Sequence, residues 1–236
     1  MSATKIFAIN SSPSGEKGTT ARLLQAFLKG ASEAGAETRV EYIFEQDIKP
    51  CVGCISCWIK TPGECAKKDD MKKMLEKIKD SDIIVYSTPL YIHNVNGPMK
   101  NFLDRRLPLI NPFLEIRDGY TRHLHSEYVN YSKVVLVSSC GFPGLHNFDS
   151  VVSLFKIMCG FRGQEFSGAL LRPGAGFMSD SDYEMVFSAA REAGAQLVRE
   201  GLISSMLLDK VSRQVISDED YIESFNNYFT KMRSRL

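Results

Sequence analysis

The chain has 236 residues, 44% of them hydrophobic, with 29 Lys and Arg against 28 Asp and Glu and a pI near 7.6. So even a balance offers no global field for nucleic acid or an anionic membrane, and it leaves small molecules or another protein as partners. The length suits one α/β domain with additions and is tight for two. The opening MSATKIFAIN runs into a strand pattern without a signal-peptide apolar region. No apolar run reaches the roughly 18 residues of a spanning helix, so a soluble, cytoplasmic protein is expected.

The first strand pattern is Lys5 to Asn10, followed by a loop of small hydroxyl residues, glycines and one proline up to Thr20. A helical pattern through Leu24, Phe27, Leu28 and Ala31 comes next. Further strand runs lie at Arg39 to Phe44, Asp82 to Thr88, Lys133 to Ser139 and Glu165 to Arg172. Between them fall helical patterns through Met71, Met74, Leu75 and Ile78, then Val151, Phe155 and Met158, then Met185, Ala189 and Leu197. Strands alternating with helices imply a parallel sheet covered on both faces. About five strands favour a flavodoxin-like three-layer winding, order 2-1-3-4-5, over an eight-stranded barrel. Ligands of such sheets bind beyond the carboxyl ends of the strands, which draws attention to residues 10–20, 46–69, 89–98 and 140–146.

Two segments exceed this minimal fold. Residues 104–132 are much longer than an ordinary connection and are expected to form a lid or a subunit contact, with Arg122, His123 and His125 on its exposed surface. Residues 205–236 read as a helical extension to a main domain over 1–204. Ser217 and Asp220 have capping-box spacing there, and Tyr221, Phe225, Tyr228 and Met232 form an apolar stripe expected to pack on its own domain or on a neighbour.

The first loop lacks the Gly-Lys-Ser/Thr of a Walker A motif, since Lys17 is followed by Gly18, Thr19 and Thr20, and it lacks the G-x-G-x-x-G of a dinucleotide fold. The hydroxyls of Ser11, Ser12, Ser14, Thr19 and Thr20, with the N–H groups of a helix start, can wrap a phosphate monoester without a metal ion. An ordinary N-capped helix after a glycine turn fits the same residues. The second feature is Cys51-x2-Cys54-x2-Cys57-x7-Cys65, with Gly53 easing the bend. Three cysteines in one tight run and a fourth returning after a Pro-Gly turn suit an iron-sulfur cluster better than zinc. Reduced thiols packed under Trp58 are the alternative. Cys140 and Cys159 read as small hydrophobes. After the third strand, TPLYIHNVNGPMKNFLDR offers backbone groups and the face of Tyr91 to a planar ring, with Pro98 in the first turn of the next helix and His93 expected in solvent. After the fourth, SSCGFPGLHN places Gly141 where backbone can approach a ligand closely.

Together the first loop, the cysteine run ending in Asp69-Asp70-Met71, and TPLYIHNVNGPMKNFLDR resemble the NADPH-dependent FMN reductase family, particularly the iron-sulfur flavoproteins, over roughly Lys5 to Arg172. The resemblance implies FMN. Ser12, Ser14, Gly18, Thr19 and Thr20 would hold its phosphate, Pro89, Leu90, Tyr91, Ile92 and Asn94 would line the ring, and Ser139, Gly141 and Phe142 would close the other side. It also implies a [4Fe-4S] cluster on Cys51, Cys54, Cys57 and Cys65, NAD(P)H as co-substrate, and homodimers or homotetramers. Hydride would pass to the flavin N5 with no protein acid or base required, and electrons would go on to a small-molecule, cluster or protein acceptor. The family loop often reads Gly-Ser-Pro-Arg. Here it reads Ser11-Ser12-Pro13-Ser14, so phosphate charge falls to N–H groups or Lys17. A non-enzymatic FMN electron carrier, a reductase whose cysteines hold no cluster, and a zinc-stabilised module without flavin are the competing readings.

Overall fold

The computed structural model describes residues 2–129 and 133–235; the last three residues of the expected 104–132 segment, and the terminal residues 1 and 236 of the two expected units, lie outside them. The strands are β1 (Lys5–Asn10), β2 (Glu37–Tyr42), β3 (Ile83–Pro89), β4 (Leu114–Arg117), β5 (Tyr120–His123), β6 (Lys133–Ser139) and β7 (Glu165–Arg172). The helices are α1 (Thr19–Glu33), α2 (Ser56–Ile59), α3 (Met71–Lys79), α4 (Gly97–Asp104), α5 (Asp149–Arg162), α6 (Asp180–Glu200), α7 (Ser205–Ser212) and α8 (Asp218–Arg233). Five strands pair in parallel in the order β2-β1-β3-β6-β7, the flavodoxin-like winding, while β4 and β5 form a separate antiparallel hairpin inside the long segment. Among the described residues no helix is long and apolar enough to cross a membrane.

The sheet separates two cores because side chains of a strand alternate between faces. Ile6, Ala8, Ile83, Val85, Val135 and Val137 pack under α1 and α6 with Leu24, Phe27, Ala190 and Ala193. Phe7, Ile9, Ile84, Tyr86, Val134 and Leu136 face α3, α4 and α5 with Met74, Phe102 and Phe155. Burial on both faces makes β1, β3 and β6 continuous apolar runs, which is why their positions were legible. The edge strand β2 is half exposed and polar, and it begins two residues before the apolar run that suggested it. Ile43 and Phe44, the end of that run, curl into a 3-10 turn, Ile43–Glu45.

Helices α1 and α6 meet backbone to backbone. A Cβ at Gly30 would lie 1.7 Å from the Arg191 carbonyl oxygen, and one at Gly194 would lie 1.9 Å from that of Phe27. Arg191 then pairs with Glu33 at 2.5 Å on the rim of this contact. The start of α6 carries a full capping box between Ser179 and Asp182, which the sequence reading passed over. At α8 the Ser217 hydroxyl accepts from the Asp220 N–H at 3.0 Å.

Arg172, at the end of β7, is fully buried and holds α7 in place. It donates to the carbonyls of Pro173, Val211 and Arg213 at 2.6, 2.9 and 2.7 Å. Burial pushes its pKa down to about 10, so the guanidinium stays charged at neutral pH. Of the stripe expected to pack on α8, only Tyr221 is buried; Phe225, Tyr228 and Met232 are exposed on the single chain.

Gly194→Ala should lower stability by about 2–3 kcal/mol or prevent folding, because two backbones leave no room for a methyl group. Gly176→Ala, which meets nothing within 4 Å, is the control. Thermal unfolding of the two variants should show a large drop for the first and almost none for the second.

Candidate functional site

Strands β1, β3 and β6 are neighbours and end at Asn10, Pro89 and Ser139, so their following loops leave from one edge. Hydrogen bonds knit these loops together. Ser11 N donates to the Ser87 carbonyl and Leu90 N to the Ser139 carbonyl, both at 2.9 Å. The hydroxyls of Thr20 and Ser139 lie 2.5 Å apart, which ties the start of α1 to the end of β6. The buried Asn96 side chain donates from Nδ2 to the Ser11 carbonyl and accepts at Oδ1 from Met99 N at 3.2 Å, capping α4.

The first loop is a compact receptor. Ser12 N donates to Asn10 Oδ1 at 2.7 Å, and Gly15 N donates to the Ser12 carbonyl at 3.1 Å. Helix α1 begins after Gly18, an N-cap without a side chain to satisfy the first-turn amides, and that turn contains no acidic residue. Those amides and the helix dipole therefore suit an anion. A Cβ at Gly18 would stand 2.8 Å from Ser12 Oγ, so glycine is what lets the loop fold this tightly. Ser12 and Thr20 are buried, Ser14 is exposed, and Thr19 lies between those extremes.

On the loop after β3, Tyr91 and Asn94 close a tight turn by mutual backbone bonds of 2.9 and 3.0 Å. Ile92 and His93 occupy the left-handed region at φ of 47° and 57°. A β-branched residue there carries strain of about 1–2 kcal/mol, and Ile92 is also 95% exposed. Strain plus an apolar side chain in water marks a contact surface more than a stabilising turn. His93 is exposed, as the sequence suggested, and its carbonyl accepts from the Ser150 hydroxyl. On the loop after β6, Gly141 is open and the Phe142 ring is 55% exposed, standing 5.9 Å from the ring of Tyr221. All thirteen candidate flavin residues thus belong to three loops at one edge, to the strand ends that feed them, or, for Thr19 and Thr20, to the first turn of α1. Asn96, which joins two of these loops, was missed; the Asn-Gly-Pro start of a helix was the available signal.

The four cysteines line one pocket of about 350 Å³, mouth included, with Val52, Ile55, Lys67, Arg105, Leu107 and Pro108. Gly53 and Ile55, both at positive φ, turn the chain around it. Among the described residues no three candidate ligands are gathered closely enough to hold a metal ion as they stand. The donor set nevertheless fits a four-thiolate group: four thiols around a largely apolar pocket whose charged lining is Lys67, Arg105 and Asp104. Their environments differ. Hydrogen bonds from Ser56 hold the exposed Cys54 thiol below its ordinary pKa, while burial first, and the neighbouring Cys65 next, push Cys57 up. Trp58 Nε1 donates to the carbonyls of Leu107 and Ile110 at 3.2 and 2.9 Å, fastening α2 to the long segment. His123, expected on the surface, is half buried with its ring 5.5 Å from Trp58, and Arg122 is also partly covered.

Behind the pocket lies a buried ion pair. Arg105 Nη1 and Nη2 donate to Asp69 Oδ2 and Oδ1 at 2.6 and 2.8 Å, and Nη1 also donates to the Lys49 carbonyl at 2.6 Å. Both side chains are essentially inaccessible to solvent. Burial alone would raise the Asp69 pKa, but the Arg105 fork and the N–H groups of Lys49 and Met71 outweigh it and hold the carboxyl below its ordinary value.

A doubly wound parallel sheet in the order β2-β1-β3-β6-β7 with helices on both faces defines a flavodoxin-like α/β protein. The chain belongs to the NADPH-dependent FMN reductase family, which it matches over residues 4–170. An iron-sulfur flavoprotein of Archaeoglobus fulgidus is 40% identical over 101 residues, covering 43% of this chain and 48% of that protein. One from Clostridioides difficile is 25% identical over 146 residues, covering 58% and 63% of the two chains. The chain spans about half the length of the A. fulgidus relative. Its fold is shared by an FMN-dependent NADH-azoreductase of Bacillus anthracis solved with FMN, at a TM-score of 0.65, 13% identity and 83% and 100% coverage of the two chains. It is shared also by an NAD(P)H:quinone oxidoreductase of Methanothermobacter marburgensis, at 0.60, 20% identity and 83% and 98% coverage.

Removing one partner of the buried pair leaves a charge uncompensated, so Arg105→Met should cost about 3–5 kcal/mol in denaturant unfolding. The depressed Asp69 carboxyl contributes stability that is fully present above the unfolded value of about 3.9 and is lost as pH falls through the lower folded value. Asp69→Asn should accordingly flatten the acid limb of the stability–pH curve below about pH 4.

Proposed function

We propose that the chain is an FMN-dependent NAD(P)H oxidoreductase of the iron-sulfur flavoprotein kind. The observation that carries this reading is the hydrogen-bonded edge itself: an uncapped helix start suited to a phosphate on one side, and exposed Tyr91, Ile92 and Phe142 suited to a flat ring on the other. When bound, FMN supplies hydride acceptance from a reduced nicotinamide at N5 and onward transfer of electrons. The protein's part is to bind and orient. Ser12, Ser14, Gly18, Thr19 and Thr20 hold the phosphate with hydroxyls and amides, in place of the arginine common in the family loop. Pro89, Leu90, Tyr91, Ile92 and Asn94 receive one side of the ring, and Ser139, Gly141 and Phe142 the other. The open surface around Ile92 and Phe142 leaves room for the nicotinamide or the acceptor. No side chain is assigned as acid or base.

Cys51, Cys54, Cys57 and Cys65 are the residues that would hold a [4Fe-4S] cluster, in the pocket that they line together. Residues 1–204 form the FMN-binding unit and 205–236 a helical extension, whose first helix is sealed to that unit by Arg172. A second reading, a carrier that exchanges electrons only with protein partners, draws support from the exposed apolar side chains of Tyr91, Ile92, Phe142 and Leu145 around the same edge.

Purified protein should carry FMN and consume NADH or NADPH with an artificial acceptor; FMN without turnover would favour the carrier, and absence of flavin would defeat both readings. Gly18→Val should weaken FMN at least about tenfold, roughly 1.4 kcal/mol, by forcing the loop off Ser12. For the cysteines, iron and acid-labile sulfide measured after anaerobic reconstitution should be present in the parent and lost in Cys57→Ala. Values near zero in the parent would exclude the cluster.

A further inference from the structure

The buried pair behind the cysteine pocket leaves part of Arg105 unused. A guanidinium carries five N–H groups in one plane. Nη1 donates to Asp69 Oδ2 and to the Lys49 carbonyl, both at 2.6 Å, and Nη2 donates to Asp69 Oδ1 at 2.8 Å. The second Nη2–H and the Nε–H are left over. These two lie side by side along one edge of the plane, a second fork distinct from the one that Asp69 occupies. Nε is buried and has no hydrogen-bond partner among the described residues, on a side chain only 1% exposed. A buried donor on a charged group is costly unless an acceptor meets it.

The acceptor at hand is sulfur. Arg105 lines the pocket together with Cys51, Cys54, Cys57 and Cys65, and the Cys65 sulfur stands beside the guanidinium, acting on it along with Asp69. The other charged groups of the lining do not compete for this edge, because Lys67 is itself a cation and Asp104 is engaged by Lys100 at 2.7 Å. Sulfur accepts strongly as a thiolate, the form in which cysteine binds a metal. The donor is also held in place from both sides. Arg105 N donates to the Asn101 and Phe102 carbonyls at the end of α4, and the Asp69 carboxylate accepts from Lys49 N and Met71 N at 3.1 and 3.2 Å.

We propose that Arg105 is a positioning residue of the four-thiolate group: the free edge of its guanidinium donates to the Cys65 sulfur when that sulfur is a ligand, while Asp69 fixes the guanidinium at that angle. The inference rests on the cluster reading of the four cysteines and deepens it. Hydrogen bonds to the sulfurs are one of the factors that set the potential of an iron-sulfur group, and they favour its more negative, reduced state.

The test uses the full chain, reconstituted anaerobically with iron and sulfide, and a potentiometric titration followed by electron paramagnetic resonance. Arg105→Lys keeps the charge beside Asp69 but removes the planar edge. It should make reduction of the cluster about tenfold less favourable, equivalent to roughly 59 mV for one electron. Asp69→Asn disturbs the same ion pair but leaves the edge in place and removes a negative charge, so the potential should hold or rise. A merely structural role for the pair would instead move both variants in the same direction. Asp69→Asn combined with Arg105→Met removes the edge without changing the net charge and should lower the potential as Arg105→Lys does, which keeps the question open to measurement if the lysine variant folds poorly. Circular dichroism matching the parent establishes the fold of each variant. A potential that does not fall in either variant lacking the edge, or an equal fall in Asp69→Asn, would overturn the proposal. Iron and sulfide near zero in the parent would defeat the cluster reading and the proposal with it, whereas a loaded parent whose potential ignores Arg105 defeats the proposal alone.

Discussion

Strands β1, β3 and β6 run parallel as neighbours with both faces buried, and that pairing delivers the three loops of the candidate site to one edge. Parallel strands must each be followed by a crossover, so every loop after a strand appears on the same side of the sheet. What remains is to fix the loops against each other. Thr20 with Ser139, Asn96 with Ser11 and Leu90 with Ser139 do this through bonds between residues far apart in the chain. Two of the three use side chains buried at the edge, where an unmade bond is costly, so the loops stay tied without a ligand's help.

Three arginines, Arg105, Arg106 and Arg172, are among the largest fully buried side chains of an almost neutral protein, and each meets its desolvation differently. Arg172 spends its donors on three backbone carbonyls and welds α7 to the sheet. Arg105 takes a carboxylate and binds the base of the cysteine loop to the end of α4. Arg106 reaches the Tyr86 hydroxyl and the Met158 sulfur, while its Nε and Nη2 have no hydrogen-bond partner among the described residues. A buried ion pair adds little net stability over apolar packing, but it specifies geometry. Asp69 closes the cysteine loop and Arg105 lines its pocket, so the pair fixes the base of the loop that carries the four thiols.

Strain is concentrated where the fold meets the outside. Ile55 beside the cysteines, and Ile92 with His93 on the loop after β3, all sit at positive φ without being glycine. Both loops project apolar side chains into water. The interior shows the opposite economy, with Gly30 and Gly194 giving up side chains so that two helices can touch.

The amino-acid sequence by itself determined the winding, the glycine-bearing first loop, the cysteine run and the family resemblance, because each rests on local pattern: continuous apolar runs alternating with helical periods, a glycine before a helix start, close cysteine spacing. The edge strand β2 was displaced in that reading, since a half-exposed strand dilutes the apolar signal. Tertiary structure alone decided that Asn96 bridges two loops, that Arg105 finds Asp69, that His123 leans on Trp58, and that α8 buries only Tyr221 of its apolar stripe. Partners 36 to 85 residues apart, as in the Arg105–Asp69 and Asn96–Ser11 bonds, leave no trace in local periodicity. They are chosen by which groups the closed sheet brings within hydrogen-bonding distance.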